Sequence, residues 1–269
     1  MACQHAPRAL DGDMRPHRPR STTASSGPAS NPAEGVWIHG LHPVAAALAN
    51  PARRLRRLLV TRDAEKELAE HVPNPWRITP ELVEKERLHA LLPPDAVHQG
   101  AALLVEPLPT LTLERVIEGT TGPVLVLDQV TDPRNVGAIL RSAAAFGAAA
   151  MVMQDRHAPA ETGSLARAAS GALEVVPILR EVNLSRAIQS LKKAGLWVVG
   201  LEAAGPITLA QSGLQGRRVA LVLGAEGEGL RRLTRENCDE LVRLPIRPAM
   251  ESLNVSAAAA VALYELMRE

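Results

Sequence analysis

Three stretches of the chain hold the residues able to do chemistry. In VALVLGAEGEGL, residues 219–230, an apolar run breaks at Gly224 into a loop where Glu226 stands among Gly224, Gly227 and Gly229. Glycine permits positive φ and lets a ligand come close to the backbone. A carboxylate in such a loop has no packing purpose, unless it caps a helix opening at Gly229. In LPIRPAMESLNVS, residues 244–256, a short strand turns at Pro245 and Pro248 and enters a helix through Ser252, Leu253 and Asn254. In DPRNVGAILR, residues 132–141, Asn135 and Arg141 flank Gly137. Asn135, Ser252 and Asn254 each suit a helix N-cap, and Glu228 reads as solvated. Arg141 taken alone is a surface arginine in a salt bridge. A guanidinium stays protonated at any ordinary pH, so its chemistry is holding phosphate or stabilising developing negative charge rather than accepting a proton.

Other chemistries are excluded by spacing. There is no HExxH and no paired CxxC, and Cys3 and Cys238 are the only cysteines, so neither a metal site nor a disulfide framework is expected. The glycines after the 219–223 run follow G-x-x-G-x-G near the C-terminus. A dinucleotide fingerprint reads G-x-G-x-x-G in an opening βαβ unit, so an oxidoreductase reading fails. With 30 basic and 29 acidic residues the net charge is +1, so there is no global basic signal and any nucleic-acid surface has to be a local patch. No apolar run is long enough to span a membrane, and the expected compartment is the cytoplasm.

The elements that must position these residues fall into two groups. Residues 1–33, rich in Pro, Ser, Thr, Ala and Arg, read as a disordered tail. Residues 35–106 read as a small α/β domain. Its strands are expected near 55–60, 76–78 and 100–105, with helices starting near Pro43 and over 64–71 and 80–90. Arg53, Arg54, Arg56 and Arg57 form a basic run, suited equally to phosphate contacts and to a solvated strand edge. Pro107 and Pro109 mark a linker, and residues 107–122 comprise it and the start of the second domain, expected around Thr110. In residues 123–269, strands are expected over 124–127, 149–153, 173–178, 196–200, 219–223 and 241–244. Helices are expected over 135–146, 165–169, 184–194, 229–236 and 254–268. Near-continuous apolar strands alternating with helices imply a parallel sheet covered on both faces. Glycine loops at its strand ends lie where open α/β sheets bind ligands. Ala169-Ser170-Gly171-Ala172 reads as a site of close backbone packing.

Asn135-x-Gly137 with Arg141, Gly224-x-Glu226-Gly227, and Leu244-Pro245 with Ser252–Ser256 occur in one order. That order resembles the signature of the SPOUT superfamily, in particular its SpoU-type RNA ribose 2′-O-methyltransferases. The resemblance implies an α/β fold: a parallel-sheet catalytic domain with a C-terminal trefoil knot, plus a small N-terminal α/β RNA-binding domain. It implies S-adenosyl-L-methionine as methyl donor, no metal, RNA as substrate and a homodimer; the small side chains of the last helix suit a partner's close approach and burial within one chain equally. Catalytic roles would fall to Arg141, Glu226, Asn254, Asn135 and Ser252, with Glu226 bonding Arg141 or the ribose. Gly224, Leu244, Leu253, Leu223 and Ile246 would bind the cofactor. The two-domain layout and the run GAEGEGLRRLTRENCDEL resemble family members that act on large-subunit ribosomal RNA, and that resemblance implies a guanosine there as target. The alternatives are a tRNA ribose methyltransferase and a non-catalytic RNA-binding protein of the same fold. Aromatic residues are scarce, so recognition by a stacking platform is not expected.

Overall fold

The computed structural model describes residues 35–118, 121–156, 158–247, 249–250 and 252–268. The expected 1–33 tail and the turn at Pro248 lie outside the described residues.

The first part of the chain builds a four-stranded mixed sheet. Its elements are β1 (Val36–His39), α1 (Leu41–Ala49), β2 (Leu55–Val60), α2 (Arg62–His71), β3 (Pro80–Leu82), α3 (Lys85–Leu91) and β4 (Ala101–Val105). The order is β1-β4-β2-β3, with β4 antiparallel to β1 and β2, and β2 parallel to β3. Two expectations fail here. Residues 76–78 form no strand, and the 80–90 helix is replaced by β3 followed by the shorter α3. Pairing of Leu58, Leu59 and Val60 with Pro80, Glu81 and Leu82 outweighs local helix propensity. Proline suits the first residue of an edge strand.

The second part begins with α4 (Leu113–Glu118), a helix not anticipated within 107–122, and continues through β5 (Val124–Asp128), α5 (Pro133–Ala145), β6 (Ala150–Gln154) and α6 (Gly163–Ala169). After a 3-10 turn at Ala172–Glu174 come β7 (Ile178–Glu181), α7 (Leu184–Lys193), β8 (Trp197–Leu201), the unanticipated β9 (Ile207–Thr208) and β10 (Val219–Gly224). The chain closes with α8 (Arg232–Asn237), β11 (Glu240–Arg243) and α9 (Val255–Met267). The strand expected over 173–178 is wrong. Ser170 and Gly171 take φ of 50° and 93°, ending α6 and turning the chain into the 3-10 turn before β7 starts.

These strands form a seven-stranded sheet, β7-β6-β5-β10-β8-β11-β9, in which every pairing is parallel. The period-2 alternation of strands explains their apolar runs. Leu125, Leu127, Leu221 and Leu223 face one buried layer with α5, α6 and α9. Val124, Val126, Ala220 and Val222 face the other with α4 and α7. Close approach between helices depends on glycine at two points. A Cβ on Gly137 of α5 would lie 2.6 Å from Ala168 of α6, and one on Gly171 would lie 2.9 Å from Ala46 of α1.

The two sheets share a core. Ile38, Val44, Leu58 and Leu103 belong to the same buried cluster as Leu125, Ile139 and Leu165. Arg53 reinforces the junction. Its buried guanidinium pairs with Glu174 at 2.7 Å and Glu161 at 3.4 Å, and donates to the Glu106 carbonyl at 2.9 Å. Arg53 is therefore withdrawn from the basic run, whereas Arg54 and Arg56 stay exposed and Arg57 half-exposed along the β2 segment. Arg54 and Arg56 pair with Glu106, and Arg57 with Glu81.

Candidate active site

At the carboxyl ends of β10, β8 and β11 lies a cavity of about 420 Å³. Its walls include Leu223, Gly224, Glu226 and Gly229 from the glycine loop, and Leu244, Ile246, Ser252 and Leu253 from the segment before α9. Each sheet strand delivers one loop to the same rim, because parallel pairing points every carboxyl end the same way. The loop after β10 needs its glycines. Gly227 and Gly229 have φ of 83° and 66°, and a Cβ on Gly224 would fall 2.2 Å from the Gly229 carbonyl carbon. The loop folds back on itself, with Gly229 N–H donating to the Ala225 carbonyl at 3.0 Å.

Glu226 is the meeting point of all three sequence stretches. Its Oε1 accepts from Asn135 Nδ2 at 3.1 Å, Asn254 Nδ2 at 2.5 Å and the Val255 amide at 3.4 Å. Asn254 Nδ2 also donates to Asn135 Oδ1 at 3.1 Å. Asn254 is at the same time the N-cap of α9, its Oδ1 accepting from the Ser256 amide at 2.9 Å. Asn135 is not a cap. Asp132 takes that place on α5, accepting from the Arg134 amide at 2.9 Å, and Pro133 opens the helix. Nor does Glu226 cap α8, which starts later than expected, at Arg232.

Arg141 is the site residue that the fold leaves apart. It is exposed on α5, six residues beyond Asn135, and makes no bond to Glu226 or to any other described residue. Six residues turn a helix about 120° away from the starting face. The expected Glu226–Arg141 bond is thus replaced by bonds to two asparagines.

A second set of polar residues holds the glycine loop and was not singled out in the sequence. Asp128 ends β5 opposite Gly224 and is fully buried. Its Oδ1 accepts from Arg231 Nε at 2.6 Å and its Oδ2 from the Arg231 amide at 3.1 Å, while Arg231 Nη2 reaches Gln154 Oε1 at 3.0 Å. The available signal was an aspartate closing an apolar strand. Across the loop Arg235 pairs with Glu202, which also lines the cavity. Cys238 is no nucleophile: burial pushes its thiol up to about 12, so it stays protonated.

This geometry agrees with what the chain resembles. Residues 122–264 match the SpoU rRNA Methylase family, and residues 37–111 match the RNA 2'-O ribose methyltransferase substrate binding family. The chain belongs to the SpoU rRNA methylase family. It is 37% identical over 247 residues to the 23S rRNA (guanosine-2'-O-)-methyltransferase RlmB of Photobacterium profundum, covering 86% of this chain and 97% of that one. The RlmB of Pasteurella multocida is 38% identical over 240 residues, covering 86% and 97%. Among solved structures, the SpoU methyltransferase AviRb from Streptomyces viridochromogenes in complex with AdoMet superposes with a TM-score of 0.72 at 25% identity, covering 88% of this chain and 90% of AviRb. No helix among the described residues is long and apolar enough to cross a membrane.

Proposed function

We propose that the chain transfers a methyl group from S-adenosylmethionine to the ribose 2′-hydroxyl of a guanosine in 23S ribosomal RNA. The observation that carries this reading is the convergence of Asn135 and Asn254 on one oxygen of Glu226, at the rim of a strand-end cavity. The activity named for the relatives supplies the choice of nucleoside.

The residues present suit the cofactor. At about 420 Å³ the cavity lies in the range of small-molecule sites, roughly 300–1,000 Å³, and combines apolar walls with a few polar groups. Leu223, Leu244, Ile246 and Leu253 would hold the adenine, and the backbone of the loop at Gly224 would approach it closely. When bound, S-adenosylmethionine supplies a methyl carbon on a positively charged sulfur, which keeps the electron pair as the new C–O bond forms.

The chain's own residues then orient and deprotonate. Asn135, Asn254 and the Val255 amide fix Glu226 through Oε1, leaving Oε2 without a described partner. That oxygen accepts the hydrogen bond of the ribose 2′-hydroxyl and takes its proton as the methyl arrives, passing it on to water. Ser252 lines the wall beside it. Arg141, exposed and unpaired among the described residues, reaches the phosphate next to the reacting ribose from outside the Glu226 cluster. Positioning of this kind supplies much of the rate.

In the same reading, residues 35–106 dock the RNA, 107–122 lead into the methyltransferase part, and 123–269 carry catalysis. The segment after β11 threads a trefoil knot as it returns to pack α9 on α5. Val261 and Tyr264, exposed on α9, meet a second copy in a homodimer. The protein works in the cytoplasm, and the 1–33 tail is inert.

The test is transfer of labelled methyl from S-adenosylmethionine to unmodified 23S ribosomal RNA and to bulk tRNA, followed by digestion to nucleosides. Label in ribose-methylated guanosine from ribosomal RNA alone is the expected result. Label only in tRNA, or on a base, would overturn the reading.

A further inference from the structure

Glu202 lies outside the three stretches that carry the family signature, yet it stands at the cavity wall. It follows β8 directly, the strand that pairs with β10, so its loop runs beside the glycine loop. The carboxylate is close to that loop: Oε1 would lie 3.9 Å from a Cβ placed on Gly229. Arg235 of α8 holds the same oxygen and also donates to the Leu230 carbonyl at 3.4 Å. No described residue bonds Oε2. The side chain is 17% exposed, so the carboxylate is fixed, mostly dry and half unsatisfied.

The order of strands says which part of a nucleoside ligand meets it. Along the rim, Asn135 follows β5, Glu226 follows β10, Glu202 follows β8, and Leu244 and Ile246 follow β11. Neighbouring strands are about 4.8 Å apart, so Glu202 sits between the polar cluster and the apolar wall, about one strand from each. A ligand whose reacting end lies at Glu226 and whose base lies against Leu244, Ile246 and Leu253 places its sugar over β8. Vicinal hydroxyls are donors that a carboxylate oxygen accepts well, and acidic residues at strand ends elsewhere meet ribose in this way. Glu228 also lines the cavity, but it is exposed on the loop itself with no described partner to hold it, and ordering it would cost side-chain entropy.

We propose that Glu202, held by Arg235, binds the cofactor by accepting hydrogen bonds from the 2′- and 3′-hydroxyls of its adenosine ribose. The proposal rests on the cofactor reading given above. Its test is calorimetric binding of S-adenosylhomocysteine and of the analogue lacking both hydroxyls on that ribose, to the unaltered protein and to Glu202→Gln. Glutamine retains an acceptor for Arg235 but turns a donor toward the ligand.

The unaltered protein should bind the analogue about tenfold more weakly than S-adenosylhomocysteine. Glu202→Gln should bind the two compounds alike, and the analogue as the unaltered protein does, which also shows the rest of the cavity intact. Full affinity of Glu202→Gln for S-adenosylhomocysteine would overturn the proposal and leave Glu202 as Arg235's ion-pair partner. An undiminished loss on removing the hydroxyls would overturn it as well. Failure of the unaltered protein to bind either compound would overturn the cofactor assignment itself, and the proposal with it.

Discussion

At the residue scale the site turns on one carboxylate oxygen that receives three donors and one that has no described partner. Glu226→Gln keeps the size of the side chain but removes the charge and the free acceptor. Its kcat should fall about 100-fold or more, in the range of losing one catalytic hydrogen-bonding group. Affinity for S-adenosylhomocysteine, measured by calorimetry, should change little, because the apolar wall of the cavity is untouched. A parallel loss of affinity would place Glu226 in cofactor binding instead. Arg141→Ala should show the same split between rate and cofactor affinity, together with weaker RNA binding in a filter assay. Asn254→Ala should differ from both, since it also removes the α9 cap and should lower stability by about 1 kcal/mol. Glu226 and Asn254 were legible as neighbours because each stands in a short motif in a loop that follows a strand. Their bonds to Asn135 were not. Nothing local to Asn135 says that its amide reaches a glutamate 91 positions away, or that Asp132 has already taken the cap.

At the element scale the glycine loop is held from outside. Ala225–Gly229 closes on itself, and its exit is pinned by Asp128 through Arg231, a pair 103 residues apart in sequence. Arg231→Ala would leave Asp128 buried without its cation. Loss of one partner of a fully buried pair costs about 3–5 kcal/mol, and the 40% exposure of the Arg231 side chain lowers the expected effect below that range. The fall should appear in thermal denaturation with weaker cofactor binding, because the loop loses its anchor.

The first sheet carries a different sensitivity. Burial lowers the pKa of His39 and of His98, and His98 Nδ1 accepts the Gly100 amide at 3.0 Å, which fixes the unprotonated nitrogen. The unfolded chain therefore binds more protons than the native one as pH falls below about 6.5. Stability is present above that value and declines beneath it. Thermal midpoints at pH 7.5 and 5.5 should differ in that direction. The difference should shrink in His98→Asn, whose oxygen can accept from the same amide without titrating. Strand periodicity made β5, β6, β8, β10 and β11 readable from sequence. The 3-10 turn at Ala172–Glu174 was not, because its apolar residues are buried by turning at Ser170 and Gly171 rather than by alternation.

At the scale of the whole molecule, the two sheets behave as one core rather than as a methyltransferase with a detachable module. Arg53 is the residue whose sequence reading misled most: a run of arginines suggests an RNA surface, whereas Glu174, its partner, lies 121 residues on. The pair is dry, with side-chain exposures of 0% and 4%, and Asn50 adds a bond to Glu174 Oε2 at 2.7 Å. Removing residues 1–106 would leave Glu174 without its cation and expose Ala166, Ala169 and Ala172, which share a buried cluster with Val44 and Leu48. That deletion cannot separate RNA docking from folding.

A point substitution can. Arg53→Leu should destabilise the protein by about 3–5 kcal/mol, the cost of an uncompensated buried carboxylate. Arg54→Ala and Arg56→Ala, exposed and both paired with Glu106, should change stability by less than about 1 kcal/mol each. Denaturant titration of the three variants checks the ranking. If Arg53→Leu unfolded at the same midpoint as the unaltered protein, the ion pair would not join the two sheets. Loss of RNA affinity in Arg54→Ala or Arg56→Ala at unchanged stability would place those two arginines on the RNA surface.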